Sequence, residues 1–154
     1  MRTLVLAAVL AGGLVFGVHA ESFTFTSTGS NTSEISTPGP NGSVRIAAFG
    51  VSKGVTSYVG GKNMTTENTC ASWPSQPGDL FASHGMCTFS DASGTGYIRF
   101  GCNPDKDPVQ ANCVGGLWGT GGAYAGRSGT LAWHAKSAAD GKTAEFAGGG
   151  QWGD

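Results

Sequence analysis

Three observations predict an all-β fold, an eight-stranded antiparallel barrel closed on itself and stapled by two disulfides. After residue 20 no stretch sustains a 3.6-residue apolar period. Short segments of period two recur instead, separated by Gly, Pro, Asn and Asp. Four cysteines, Cys70, Cys87, Cys102 and Cys113, follow an export-type leader, and an even count in such a chain reads as disulfides.

The leader comes first. Arg2 supplies a short basic start, residues 4–17 are apolar or glycine, and Val18-His19-Ala20 offers a small-x-small cleavage site. Residues 1–20 are therefore expected to be a signal peptide, leaving 21–154 as one β-barrel domain that is secreted or periplasmic. The apolar run is shorter than the ~20 residues of a spanning helix, so no membrane span is expected in the mature chain. From Glu21 onward, eight Lys and Arg face ten Asp and Glu. With no basic stripe, nucleic acid is not an expected partner.

The strands follow in order. SFTFTST alternates Phe23 and Phe25 with threonine, and the polar stretch GSNTSEISTPGPNG then reads as a loop. SVRIAAFGVS is the second strand, and VTSYVGGKNMTTENTCASW reads as one long third strand bent at Gly60-Gly61. LFASHGMCTFS, the turn DASG and TGYIRFGC form a hairpin. CVGGLWGT, GTLAWHAKS and KTAEFAGGGQW complete the set, the last two joined by AADG. A sheet of this width curls and closes, removing its edges. Sequential hairpins favour a barrel over a sandwich.

Four cysteines allow three pairings. The loop NPDKDPVQAN turns the chain back between Cys102 and Cys113, which favours Cys102–Cys113 and leaves Cys70–Cys87. Zinc is not expected, since no C-x-x-C knuckle occurs. Asp105 and Asp107 alternate as calcium ligands do, but a polar turn explains them. No metal or cofactor is expected. The sequons at Asn31, Asn41 and Asn63 matter only in a eukaryotic host.

The stretch GTGGAYAGRSG (119–129) carries a resemblance. Its closely spaced glycines around an aromatic, Gly119, Gly121, Tyr124, Gly126 and Gly129, resemble the late-strand signature of the allene oxide cyclase/dirigent barrel superfamily and its small bacterial relatives. The match covers about a dozen residues, and the four cysteines depart from the family pattern. The resemblance implies an eight-stranded barrel over 22–152, structural glycines, Tyr124 as a plug under a tight turn, and Arg127 as a solvated turn residue.

Catalytic signals are sparse. No G-x-S-x-G elbow accompanies His84 or His134, and GRSGT fails the spacing. Gly119-Thr120-Gly121 leads into a strand, so a phosphate cradle is not supported. One constellation remains, Tyr97, Arg99 and Glu145, which could polarise a carbonyl or epoxide if its face points into the barrel. Otherwise Arg99 and Glu145 are surface partners. Trp118, Trp133 and His134 are candidate ligand contacts.

The expected role is a non-catalytic barrel binding a small apolar ligand or a partner surface. The alternatives are a cofactor-independent cyclase or isomerase, and a structural or oligomeric envelope protein. An enzyme requires Tyr97, Arg99 and Glu145 to line an enclosed cavity. A structural protein requires a lumen filled by Phe and Trp and a large exposed apolar patch.

Overall fold

The computed structural model describes residues 20–40, 42–107 and 109–153. The expected leader, apart from Ala20, and the sequon residue Asn41 fall outside these. The described residues form β1 (Glu21–Gly39), β2 (Gly42–Tyr58), β3 (Asn63–Pro74), β4 (Ser83–Asp91), β5 (Gly94–Pro104), β6 (Gln110–Gly122), β7 (Ser128–Ser137) and β8 (Thr143–Trp152). Every neighbour is antiparallel and follows in chain order. The circle closes where β1 pairs β8, from Glu21↔Trp152 to Ser30↔Thr143.

Period-two alternation decides what fills the lumen. Phe23, Tyr58, Met64, Phe89, Leu117, Leu131 and Trp152 form the buried core, with Phe25, Ile98 and Trp133 packed against it. Outward go the intervening residues, among them Thr24, Thr26, Thr28, Lys53 and Glu67.

Both disulfides are as the loops favoured, Cys70–Cys87 and Cys102–Cys113. Each joins residues directly opposite one another in the ladder, across β3–β4 and β5–β6. Cys87 and Cys113 are buried among the inward-facing side chains. Between β2 and β3 the lumen is polar: the Thr56 and Thr66 hydroxyls share a hydrogen bond of 2.9 Å, and Asn68 Nδ2 donates to Ser52 Oγ at 3.0 Å.

Two strand boundaries differ from the sequence reading. Residues 55–73 are not one bent strand but the end of β2, a turn and β3 up to Trp73. Gly60 and Gly61 both take positive φ, 111° and 89°, and the Tyr58 N–H donates to Lys62 O at 2.8 Å. Two successive positive-φ residues reverse a chain rather than bend it. The expected loop after Gly29 is instead strand: β1 runs to Gly39 because β2 pairs with it along its whole length. Beyond Ser30 on β1 and Ala48 on β2, neither β8 nor β3 continues alongside. The rest of this hairpin projects as a two-stranded arm, with register shifts at Asn31/Ser33 and Ile35/Ser36.

Replacing Cys102 and Cys113 together by alanine is expected to lower stability by about 3 kcal/mol, the loop-closure value for a short loop. Urea unfolding checks it. A loss below about 1 kcal/mol would mean that the staple closes a loop already ordered in the unfolded chain.

Candidate functional site

One end of the barrel is plugged. The turns after β2, β4 and β6 gather there with both chain ends of the barrel, and Tyr124, in the β6–β7 turn, inserts beneath them. It is 2% exposed, stacks on Trp152 at 4.9 Å between ring centroids, and meets Phe89 edge-on at 5.7 Å. Local glycines allow this approach. A Cβ on Gly119 would collide with the Tyr124 carbonyl, and Gly126 holds φ of 79° where the turn reverses.

A hydrogen-bonded chain fixes the plug. Tyr124 donates to Asp91 Oδ2 at 2.8 Å, so its hydroxyl must accept from Tyr58, 2.9 Å away. Asp91 Oδ1 accepts the backbone N–H groups of Ser93 and Gly94 at 2.7 and 3.2 Å. Burial raises both tyrosines above their ordinary value; hydrogen bonds partly offset it at Tyr58, whereas at Tyr124 the bonds with Tyr58 and Asp91 add to it. Arg127 is not the free turn residue expected. Its Nη1 donates to Glu21 Oε2 at 2.9 Å, and its guanidinium lies over Trp152 at 5.6 Å. These contacts tie the plug to the first strand.

Tyr97, Arg99 and Glu145 do not converge in the lumen. In β5 it is Ile98 that faces the core, so Tyr97 and Arg99 point outward. Glu145 also points outward, opposite Lys136 and Thr28, in a belt that continues to Lys53 and Glu67. Lys53 Nζ donates to Glu67 at 2.8 Å and holds that carboxyl below its usual range. Arg99 lies in the row of Gln151, six residues from Glu145 along β8, roughly 20 Å at strand rise. The expected Arg–carboxylate pair is therefore not formed, because the pleat alternation puts both on the convex side at different heights.

The other candidates separate by face. Trp133 turns inward and meets Phe100 edge-on at 5.2 Å. His134 turns outward, its ring nitrogens 3.1 Å from Asn112 Oδ1 and 2.6 Å from Gln110 Oε1. Trp118 also turns outward, stacked on Tyr97 at 5.3 Å and 12°, and Arg99 lies 5.8 Å from the Tyr97 ring centroid. Asp105 and Asp107 are occupied in their own turn, accepting from Lys106, Val109 and Gln110.

Beside this aromatic pair lies an open trough of about 820 Å³. The register explains it. Two adjacent outer rows read Gly101–Val114–Ala132–Gly149 and Arg99–Gly116–Thr130–Gln151 across β5 to β8. Phe81 covers Gly101 and Trp118 covers Gly116, so the open floor runs over Val114, Ala132 and Gly149, about 10 Å or two strand spacings. Four inward-facing residues, Phe100, Gly115, Leu131 and Gly150, also line it. Phe81 and His84 wall one end; the Phe81 ring packs against Gly101, and His84 Nε2 lies 2.9 Å from Asp79 Oδ2. A second recess, about 830 Å³, lies along the charged belt on β7, β8, β1, β2 and β3.

No family model matches the chain, and no curated protein or solved structure shows significant similarity to it. Its candidate site rests on its own geometry. Sequence reasoning passed over the trough because Val114, Ala132 and Gly149 carry no chemistry, and only the register sets them side by side.

The two raised tyrosines imply an alkaline limit. Their contribution is intact below the ordinary tyrosine value of 10 and is lost as pH rises beyond it, since the unfolded chain then releases protons that the folded barrel retains. Stability should fall by up to about 1.4 kcal/mol per pH unit for each tyrosine. Tyr124→Phe, measured by urea unfolding between neutral pH and pH about 11, should be less stable at neutral pH and show a shallower alkaline decline. An unchanged slope would mean that Tyr124 does not keep its proton in the fold.

Proposed function

We propose that this chain is an exported, non-catalytic binding module whose working surface is the outside of the barrel. The observation that carries this is a division of the aromatic side chains. Phe23, Phe89, Tyr124 and Trp152 occupy the lumen, while Tyr97 and Trp118 stack on the outer face beside a trough floored by glycine and alanine. A cavity carrier would keep its apolar residues around empty space. Here they pack against one another, and the bare surface lies outside. Export is supported by the leader composition and by two disulfides, which persist in oxidising compartments. Kinship with the allene oxide cyclase/dirigent barrels is proposed on the glycine turn around Tyr124. A cyclase or isomerase role has less support, since Tyr97, Arg99 and Glu145 lie outside the lumen.

A second reading, a self-associating envelope protein, is favoured by the β1–β2 arm. Ile35, Val44 and Ile46 on it are each about half exposed (50%, 50% and 49%), and its backbone edges lack strand neighbours. Pro38 and the Glu34–Arg45 ion pair of 2.9 Å act against indiscriminate edge pairing.

Native mass spectrometry of the protein from its own host, before and after organic extraction, tests the choice. A small molecule lost on extraction, and absent from a Trp118→Ala variant, is expected. A bound molecule retained by Trp118→Ala but lost from variants of lumen residues would contradict the outer-face reading. A bare, multimeric protein would favour the arm.

A further inference from the structure

We propose that the trough across β5–β8 binds a planar aromatic carboxylate, the ring lying on the glycine–alanine floor and the carboxylate meeting Arg99; this rests on the outer-face function above. Among the described residues Arg99 takes part in no salt bridge, whereas Arg45 and Arg127 are each engaged by a glutamate. A guanidinium placed over Tyr97 is held in a defined orientation yet keeps its donors for an incoming anion. Nor does the barrel offer a competing carboxylate nearby by register: Arg99 faces Met86 on one side and Gly116 on the other. Asp79, at the end wall, is engaged by His84.

Shape selects the apolar part. The open floor is backbone at Gly149 and a methyl group at Ala132, bounded by the Val114 side chain, so a flat ring can lie close to the peptide plane there. Phe81 walls one end, and the Trp118 ring leans over Gly116 at the side. About 10 Å of open length accommodates two fused rings and a carboxylate. A charged group at one end of an apolar trough fixes orientation, as sparse polar groups do in most ligand sites.

The probe is 2-naphthoate, compared with 2-naphthalenemethanol and 2-naphthylmethylamine, titrated against the ¹⁵N-labelled protein by NMR. Naphthoate should shift the amides of Gly101, Val114, Ala132 and Gly149, and should bind about tenfold more tightly than the alcohol, as one charge-assisted contact allows. Arg99→Gln should erase that preference without weakening the alcohol. Ala132→Leu, an exposed substitution that fills the floor, should remove binding of all three. Equal binding of naphthoate and alcohol, unmoved by Arg99→Gln, would overturn the carboxylate assignment while leaving the outer-face function standing. Failure of every probe to shift trough amides, or shifts confined to inward residues such as Leu117, would overturn both.

Discussion

Everything in this molecule depends on ten residues of β1 finding ten residues of β8. Without that pairing the chain is an open, twisted meander with two exposed edges and no distinction between inside and outside. With it, period-two alternation becomes a sorting rule. Phe23, Phe89, Leu131 and Trp152 exclude water together, and the polar partners of each strand face solvent. The closing strands are also a place where side chains are sacrificed. Gly148, Gly149 and Gly150 on β8 lie opposite Phe25, Thr24 and Phe23 on β1, and Gly150 has no room for a Cβ beside the Phe23 ring. Gly148 and Gly150 press on the β7 carbonyls of Ala132 and Thr130, and Gly149 on the β1 carbonyl of Phe23, so close backbone approach rather than flexibility explains this run.

The two ends then follow different physics. At the plugged end the Tyr124–Asp91 and Arg127–Glu21 contacts are directional, so they fix one arrangement of the turns and the first strand. At the other end the strands are stapled covalently, and the β1–β2 arm runs on past its neighbours. Unpaired strand edges invite partners, and the arm carries two register shifts that interrupt a regular edge. The same small residues that permit closure also thin the outer surface over β5–β8. Fold and candidate site therefore share a cause.

Much of the architecture was legible in the residues. Alternation in TGYIRF and TLAWHA, turn chemistry at DASG and AADG, and the loop between Cys102 and Cys113 each encode local structure. Gly60-Gly61 misled because the side-chain pattern on both flanks suits a single strand, and only positive φ at both glycines makes it a hairpin. The arm was hidden by its composition: serine, threonine, proline and glycine read as loop, and the pairing that extends β1 is a long-range property. Face assignment was the deeper gap. Alternation states that Arg99 and Ile98 oppose one another, but the direction of closure decides which is inside. That decision moved Tyr97, Arg99 and Glu145 from a supposed cavity to the surface.

Native-state hydrogen exchange, followed by NMR along β1 and β8, tests the closed barrel most directly. The amides that join Glu21–Ser30 to Thr143–Trp152 should exchange as slowly as those between β5 and β6, with the arm beyond Asn31 exchanging faster. Rapid exchange throughout β1 and β8, with protection kept in β3–β7, would contradict closure. The lumen, the plug and the outer trough would then lose their common basis.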